Sequence, residues 1–459
     1  MKRLVLLFVL MTVLLLAFSA SVVGAQGAAK EYIIVSQSRF GVPSVLLNQI
    51  RQSGGIITEN LSRMGVVVAT SNNPRFENGL LAARAVVENR RIPTANPKME
   101  LGPDFSHIVS PPNTNDDDFF FDLEWGHTSI DAVRAWAMGR TGAGAIVAVL
   151  DEGVDDDHPD LASQVRDDLS ASFVPGEDWD PVPGFYFNHG THVAGTVAGA
   201  DNAYGMIGVA PDAQIMAVKV LSEELGYGLD SWIIAGIIHA ADHGADVINM
   251  SLGSGPIPLS DPEVQDYFLL YSLAALYANS KGTTVIASAG NDAFDFGTNA
   301  DYIHLPSDAV GIISVSATAP EGWAVDPNNA YLRIPTSYTN YGANRIDFAA
   351  PGGDFDLPGE DLCTVAGLTR PCWVLDMVFS VIPGGWSWAA GTSMAAPHVA
   401  GVAAQIVGYF GGSANPAVVE AALRYTADQK PPYGYKDTYW GYGHLDSTFS
   451  DYWDQGGPG

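Results

Sequence analysis

Apolar runs of two lengths follow one another along most of the chain. Short runs that read as buried strands begin near Ala145, Gln214, Asp246, Thr284 and Gly311. Longer runs with helical spacing begin near Thr191, Ser231, Gln265 and Ser393. Because strands that alternate with helices build parallel sheets covered on both sides, this order predicts an α/β fold with a mostly parallel central sheet and helices on both faces.

A smaller pattern precedes this region, between about residues 26 and 105. Residues 32–35 and 64–70 read as strands, whereas residues 45–53 and 80–88 have helical spacing. Two glycines, Gly54 and Gly55, end the first of these helices. The pattern predicts a separate small α+β domain.

The first 25 residues have the features of a targeting segment. Lys2 and Arg3 precede an uncharged run from Leu4 through Ala25, and small residues at positions 23–25 fit a cleavage site. We therefore expect a signal peptide over residues 1–25 and a secreted protein that has no stable membrane association after cleavage. Because the uncharged run approaches the length that spans a bilayer, an uncleaved anchor is the alternative.

Acidic side chains dominate the composition and are unevenly distributed. The chain has 51 acidic and 22 basic side chains, which give a formal net charge of −29. Residues 26–105 contain 9 basic and 6 acidic side chains, whereas residues 106–459 contain 11 basic and 45 acidic ones. The large acidic part argues against nucleic-acid binding, which needs a basic surface. Its charge complements that of the small N-terminal domain, so the two are expected to attract each other.

One serine, Ser393, lies at the start of an apolar helical run. Residues 391–398 read Gly-Thr-Ser-Met-Ala-Ala-Pro-His. The first backbone N–H groups of a helix have no partner within it, and this end of a helix favours negative charge. A nucleophile whose reaction passes through an oxyanion needs those conditions. A serine is also an ordinary N-cap, so this motif alone decides little.

Two further segments supply groups that could activate a serine. Residues 145–150 read as a buried strand that ends in Asp151, and ligands of open α/β sheets bind at the carboxyl ends of strands. His189 begins the next helical run, and a neutral imidazole can accept the serine proton when a buried carboxylate holds its tautomer. The acid, the imidazole and the alcohol therefore occur in the order Asp, His, Ser.

With these motifs, the sequence resembles the subtilisin-like serine proteases (subtilases). The likeness covers about residues 125–446, including residues 149–153, 189–195, 288–291 and 391–398. It implies an endopeptidase that forms an acyl-enzyme on Ser393, with His189 as general base and Asp151 as its orienting carboxylate. Asn291 would donate its amide to the oxyanion, and catalysis would need no cofactor. A triad esterase and a non-catalytic peptide-binding relative remain alternatives.

The same resemblance divides the chain. The N-terminal domain resembles an inhibitory propeptide, so the protein would be a self-processing zymogen whose partners are its own propeptide and polypeptide substrates. A permanent accessory domain is the alternative. Activation cleavage is expected between about Pro97 and Asp118, in a region rich in proline and aspartate. The expected divisions are the signal at 1–25, the propeptide at 26–105, the linker at 106–122, the catalytic domain at 123–448 and the tail at 449–459.

Two segments that carry glycine, residues 225–228 and 246–253, are candidates for substrate binding. The resemblance implies that they hold an extended peptide as an added β-strand, and that Gly226 and Gly228 permit its close approach. Small side chains suggest a roomy, largely apolar pocket for the residue before the cleaved bond. Its expected lining is Ser251, Leu252, Gly253, Ser288, Ala289 and Gly290.

A structural calcium ion is the one expected cofactor. Residues 158–161 and 200–206 resemble the calcium loop of the family in spacing, and their oxygen donors suit a hard cation. The implied ligands are the side chains of Asp160 and Asn202, the carbonyls of Ala200, Tyr204 and Met206, and, as N-terminal candidate, Asp122. A loop held by hydrogen bonds without calcium is the alternative.

The chain has only two cysteines, Cys363 and Cys372. In a secreted chain, an even pair at this spacing predicts a disulfide that closes a short loop, and two free thiols are the alternative.

Overall fold

The computed structural model describes residues 28–38, 41–95, 97–102, 116–428 and 435–449. The predicted signal peptide, most of the predicted linker and nearly all of the predicted tail lie outside these residues. The chain forms two compact units, residues 1–89 and residues 90–459.

In its described residues, the first unit is a four-stranded sheet with one α-helix. Its sheet order is β2-β3-β1-β4, and the pairings of β1 with β3, β1 with β4 and β2 with β3 are antiparallel. Its core contains Ile34, Leu46, Ile50, Val67 and Phe76. The elements are β1 (Lys30–Ser36), α1 (Ser44–Gln52), β2 (Gly55–Leu61), β3 (Val66–Ser71) and β4 (Ala83–Glu88).

One prediction for this unit is wrong. The sequence pattern predicted a helix over residues 80–88, but residues 83–88 form the strand β4. Ala85 and Val87 are buried while their neighbours are more exposed, which is the two-residue period of a strand. Pairing with β1, more than 40 residues away in sequence, decides the conformation, and a local pattern does not contain that information.

The second unit contains the central sheet. Its strand order is β17-β16-β14-β12-β7-β9-β8, with β18 paired to β16. All pairs are parallel except β16 with β17. The central strands are β7 (Ile146–Asp151), β8 (Ala171–Ser172), β9 (Gln214–Lys219), β12 (Val247–Met250), β14 (Thr284–Ser288), β16 (Ile312–Ala319), β17 (Ile334–Pro335) and β18 (Phe348–Pro351).

Helices cover both faces of this sheet. In β7, Val147 and Val149 belong to a core that includes Val193 of α4 and Val399 of α7. Leu150 points to the other face, where a Cβ at Gly236 of α5 would lie 3.4 Å from it. The mostly parallel α/β fold predicted from the sequence is therefore confirmed. The helices of this unit are α2 (Trp125–Ser129), α3 (Ala132–Ala137), α4 (His189–Ala198), α5 (Asp230–Asp242), α6 (Val264–Lys281), α7 (Thr392–Tyr409) and α8 (Pro416–Thr426).

Smaller sheets surround the central one. The two strands that begin the second unit, β5 and β6, pair with β11 and β22 respectively. None of the helices in the described part of the chain is long and apolar enough to cross a membrane. The remaining strands are β5 (Arg91–Pro93), β6 (Lys98–Leu101), β10 (Leu221–Ser222), β11 (Tyr227–Leu229), β13 (Ile257–Pro258), β15 (Tyr302–Ile303), β19 (Leu362–Val365), β20 (Leu368–Pro371), β21 (Val378–Ile382) and β22 (Gly385–Ala390).

Cys363 and Cys372 form a disulfide, as predicted. The bond joins the hairpin of β19 and β20 to the residue that follows it. Both cysteines are at least nine-tenths buried and pack into the main core of the unit.

Candidate active site

Asp151 and His189 form a buried, hydrogen-bonded pair of carboxylate and imidazole at the carboxyl end of β7. Asp151 is the last residue of this central strand, and both of its carboxylate oxygens lie 2.9 Å from His189 Nδ1. Oδ1 also accepts a hydrogen bond from the backbone N–H of Glu152, at 2.8 Å. Both side chains are almost fully excluded from solvent. The carboxylate therefore selects the tautomer in which Nδ1 of His189 carries a proton.

The helix α4 begins at His189 because Asn188 caps it. Asn188 Oδ1 accepts hydrogen bonds from the backbone N–H and the hydroxyl of Thr191, both at 2.7 Å. Asn188 in turn donates through Nδ2 to Glu223 Oε1, at 2.8 Å. Because the capping residue is itself held by Glu223, the start of the helix is fixed, and with it the direction of the His189 side chain.

Two opposing effects set the acidity of His189. Burial lowers the pKa of the imidazole, whereas the charge and hydrogen bond of Asp151 and the charge of Glu152 raise it. The net result is a pKa above the ordinary value of 6.5. The second ring nitrogen, Nε2, is buried and has no hydrogen-bond partner among the described residues. This nitrogen is thus available to accept a proton.

Ser393 is the second residue of α7, which places its backbone N–H in the unpaired first turn of that helix. Its hydroxyl donates to the carbonyl of Ser251 at 3.3 Å, and the Ser251 hydroxyl donates to the carbonyl of Ser393 at 2.7 Å. Ser251 directly follows the central strand β12. These two bonds join the start of α7 to the same sheet edge that carries Asp151.

Asn291 is hydrogen-bonded to Thr392, the residue before Ser393. Its Oδ1 accepts hydrogen bonds from the backbone N–H and the hydroxyl of Thr392, both at 2.8 Å. These bonds orient the amide so that its Nδ2 lies on the opposite side, as a donor. Nδ2 would lie 3.4 Å from a Cβ at Gly391, the N-cap of α7.

Ser393 and Asn291 border one cavity of about 200 Å³. The predicted pocket residues Ser251, Leu252, Gly253, Ser288 and Gly290 line it. Ala289 is buried, and its N–H continues the sheet by donating to Val315. Side chains that the sequence analysis did not select also line the cavity, namely Ser254, Asp292, His304 and Thr392.

His304 had no motif that could have revealed it. Its ring is buried and hydrogen-bonds to the hydroxyl of Ser307 at 2.8 Å. Burial lowers its pKa to about 4, so the ring is neutral at physiological pH. A Cβ at Gly253 or Gly290 would lie within 2.8 Å of this ring, which explains why both positions hold glycine.

The two glycines predicted to receive a peptide, Gly226 and Gly228, contact a segment of the chain itself. The strand β5 pairs antiparallel with β11, so that Ile92 lies opposite Gly228. Beyond β5, the backbone N–H of Thr94 donates to the carbonyl of Gly226 at 3.1 Å. Pro93, Thr94 and Ala95 then line the cavity that Ser393 borders. The edge strand thus accepts an added antiparallel strand.

Four of the predicted calcium ligands belong to the 200–206 loop, and Asp160 is hydrogen-bonded to it. Asp160 Oδ2 accepts hydrogen bonds from the backbone N–H of Met206 at 3.1 Å and the indole of Trp386 at 2.9 Å. Its main-chain carbonyl accepts from the N–H of Ala200 at 2.8 Å. The Asn202 side chain donates to the carbonyl of Pro159 at 3.3 Å.

A second aspartate reaches the same loop. Asp118 Oδ1 accepts from the backbone N–H of Tyr204 at 3.0 Å. Asp122, the N-terminal candidate, lies four residues further on, in the short 3₁₀ helix Phe121–Leu123. The carboxylates of Asp116, Asp117, Asp118 and Asp201 also have oxygens within 4.8 Å of one another.

The residues present are compatible with a bound cation. Asp160 Oδ1 and Asp118 Oδ2 are buried and have no hydrogen-bond partner among the described residues. A buried carboxylate oxygen without a partner is costly, and a cation held by carboxylate, amide and carbonyl oxygens would offset that cost.

The fold and the site together define a serine peptidase of the subtilisin class. The subtilase family matches residues 142–446 of the chain. Subtilisin E of Bacillus subtilis strain 168 is 30% identical over 444 residues, which are 95% of each chain. M-protease of Shouchella clausii strain KSM-K16 is 33% identical over 395 residues, 85% of this chain and 84% of that protein. The chain therefore belongs to the subtilase family and is a serine peptidase.

Solved structures show the same fold. Fervidolysin from Fervidobacterium pennivorans, a keratinolytic enzyme related to subtilisin, has a TM-score of 0.66 at 25% identity, over 92% of this chain and 61% of its own. The epidermin leader peptide processing serine protease of Staphylococcus aureus has a TM-score of 0.70 at 20% identity, over 91% of this chain and 97% of its own.

Proposed function

We propose that this peptidase is a secreted endopeptidase that cleaves peptide bonds through an acyl-enzyme on Ser393. The observations that carry the proposal are the buried pair of Asp151 and His189 at the end of β7 and the cavity, bordered by Ser393 and Asn291, at the end of the neighbouring parallel strand β12. Each of these groups has the chemistry that one step of acyl transfer needs.

In the first half-reaction, Ser393 Oγ attacks the carbonyl carbon of the substrate while its proton passes to His189 Nε2. Asp151 stabilises the imidazolium that forms and keeps its orientation. The oxyanion receives hydrogen bonds from the Asn291 amide and the Ser393 backbone N–H. His189 then gives its proton to the leaving amine as the C–N bond breaks. Water repeats the sequence to release the acid and restore the serine.

The proposed mechanism requires that the serine hydroxyl change its partner. In the structure the hydroxyl donates to the carbonyl of Ser251, whereas His189 Nε2 is unoccupied among the described residues. We propose that the hydroxyl of Ser393 bonds to the imidazole when substrate binds, since catalytic hydrogen bonds often tighten only at that stage.

We further propose that the protein is a zymogen that cuts itself. Support comes from the segment Pro93–Ala95, which lines the cavity of Ser393 as a substrate would. This position favours a first cut near Ala95, upstream of the range between Pro97 and Asp118 that the sequence suggested. The N-terminal unit of residues 1–89 would be released as the propeptide, and cleavage of a signal at residues 1–25 would precede this step.

Calcium would have a structural role. Asp160 and Asn202, with the carbonyls of Ala200, Tyr204 and Met206, would hold it, and the unpartnered Oδ1 of Asp160 supports this choice. The ion would stabilise the loop between α4 and β9, and the chemical step needs no cofactor.

The function is tested by comparing the wild-type chain with Ser393→Ala and with Ser413→Ala, which alters an exposed serine. We expect casein hydrolysis and fluorophosphonate labelling in the wild type and in Ser413→Ala, and neither in Ser393→Ala. Hydrolysis of a small ester without hydrolysis of casein would indicate an esterase. Failure of the wild type to label would indicate a non-catalytic peptide-binding protein.

Self-processing is read from the same proteins. N-terminal sequencing of the purified wild type gives the cut bond directly. Ser393→Ala should keep its N-terminal unit when it is expressed alone. If Ser393→Ala were processed at the same bond, another protease would be responsible.

A further inference from the structure

A buried carboxylate binds an arginine at the far end of the substrate groove. The guanidinium of Arg90 donates from Nε to Asp230 Oδ2 at 2.9 Å and from Nη2 to Asp230 Oδ1 at 3.3 Å. The backbone N–H of Arg90 also donates to Oδ2, at 3.2 Å. Two parallel bonds from one guanidinium to one carboxylate form the geometry that distinguishes arginine from lysine.

Two tyrosines complete the surroundings of this carboxylate. The Arg90 guanidinium lies 3.5 Å from the centre of the Tyr267 ring, within the range of a cation–π contact. The hydroxyl of Tyr271 donates to Asp230 Oδ1 at 2.6 Å. Burial raises the pKa of this hydroxyl well above 10, so it remains a donor.

The carboxylate belongs to the enzyme, whereas the arginine belongs to the segment that enters the groove. Asp230 begins α5, directly after the strand β11 that pairs with β5, and its side chain is fully buried. Arg90 precedes β5 by one residue, and its side chain is 23% exposed. When β5 leaves the groove, the buried carboxylate of Asp230 loses the cation that it pairs with. A buried carboxylate without a cation is costly, so a substrate that supplies a guanidinium at this place is favoured.

The next two residues of the segment differ in how far their side chains are buried. Arg91 is exposed, with its guanidinium 4.5 Å from the ring centre of Tyr227. Ile92 is buried, at 3% exposure. Along the extended strand, the enzyme therefore encloses a guanidinium at position 90 and an aliphatic side chain at position 92, while position 91 faces outward.

We propose that Asp230, Tyr267 and Tyr271 form a guanidinium-binding subsite that selects peptides with an arginine five residues before the residue that occupies the place of Ala95. The subsite acts on the segment 90–95 of the chain itself and on other polypeptide substrates. The proposal rests on the proposed peptidase function, because a substrate must follow the same path as this segment.

The test uses peptides cleaved by the processed wild-type enzyme, obtained from the full chain. The reference substrate is Arg-Arg-Ile-Pro-Thr-Ala-4-nitroanilide, which copies residues 90–95. A second peptide has citrulline in place of the first arginine, and a third has citrulline in place of the second. Citrulline keeps the size of arginine and removes its charge, so the comparison isolates the ion pair.

We expect citrulline at the first position to lower kcat/KM by about 10- to 100-fold, the range for a charge-assisted bond to a buried partner. Citrulline at the second position should lower it by less than about threefold, as for an exposed charge. In the variant Asp230→Asn, the first two peptides should be cleaved at nearly equal rates. Asp212→Asn, which removes an exposed charge before the sheet strand β9, should keep the wild-type ratio.

The outcomes separate the subsite from the peptidase function. If no peptide is cleaved, the proposed function fails. If all three are cleaved equally well by the wild type, the peptidase stands and the subsite is wrong. Should Asp230→Asn not fold, the wild-type ratio between the two citrulline peptides still decides, because a subsite requires the first to be the poorer substrate.

Discussion

The backbone N–H of His189 donates to Glu152 Oε2, at 3.2 Å. Glu152 directly follows Asp151, so the histidine lies between two carboxylates from one strand end. Burial and the charge of Asp151 raise the pKa of the Glu152 carboxyl to about 7, while the charge of His189 lowers it. Glu223, which binds the cap residue Asn188, is a further carboxylate that raises it. The charge of Glu152 raises the pKa of His189, and the charge of His189 lowers the pKa of Glu152, so these two groups influence each other.

We predict that Glu152→Gln moves the acid limb of the kcat/KM profile to lower pH. Activity needs neutral His189, and an ionised Glu152 stabilises the protonated form, so the wild-type midpoint lies higher. Glutamine can still accept the N–H of His189 but has no charge, and we expect the midpoint to fall by roughly half a unit or more. Measuring kcat/KM from pH 5 to 9 checks this, with the exposed Glu360→Gln as control. An unchanged midpoint would show that Glu152 does not influence the histidine.

The orientation of His189 by Asp151 gives a second prediction. In Asp151→Asn, the amide can donate to Nδ1, which forces the proton of the imidazole onto Nε2. That nitrogen then cannot accept the proton of Ser393, so kcat should fall about 10⁴-fold with little change in KM. Steady-state kinetics on the peptide nitroanilide test this, with the exposed Asp167→Asn as control for charge. A loss smaller than about tenfold would contradict the assigned role of Asp151.

Calcium binding gives the third prediction. In Ser393→Ala protein, which cannot digest itself, adding EDTA should lower the unfolding temperature. A ligand at 1,000 times its Kd contributes about 4 kcal/mol to the folded state. Asp160→Asn should reduce the difference between calcium and EDTA, because it weakens the coordinating oxygens. Asp157→Asn alters an exposed residue of the same loop and should preserve the difference. Equal unfolding temperatures of Ser393→Ala in calcium and EDTA would rule out a stabilising calcium site.

Local sequence patterns were sufficient for five of the eight strands of the central sheet, all except β8, β17 and β18, and for the groups gathered at its edge. The strand that ends at Asp151 and the helices that begin at His189 and near Ser393 lie where the apolar runs predicted them, because each run is long and its ends carry distinctive residues. Asp151, His189 and Ser393 lie at one edge of the sheet because the carboxyl ends of parallel strands all lie on the same side of the sheet.

Long-range pairing could not be predicted. The strand β5 has only three residues, and its partner β11 lies more than 130 residues later in the chain. Arg90 reads as one of two adjacent basic residues, and nothing nearby in the sequence identifies Asp230 as its partner. The prediction of a helix over residues 80–88 was wrong for the same reason, because pairing with the distant strand β1 makes residues 83–88 a strand.

The disulfide gives the last prediction. Cys363 and Cys372 are nine positions apart, and the bond closes a loop around the hairpin of β19 and β20. Closing a loop of this length in the unfolded chain should stabilise the folded unit by about 2–3 kcal/mol. The double variant Cys363→Ser, Cys372→Ser in Ser393→Ala protein should therefore unfold at lower urea concentration. Dithiothreitol should destabilise the parent to a similar extent and leave the double variant unchanged. If the double variant unfolds at the same urea concentration as its parent, the hairpin is held by the packing of residues such as Leu368 rather than by the bond.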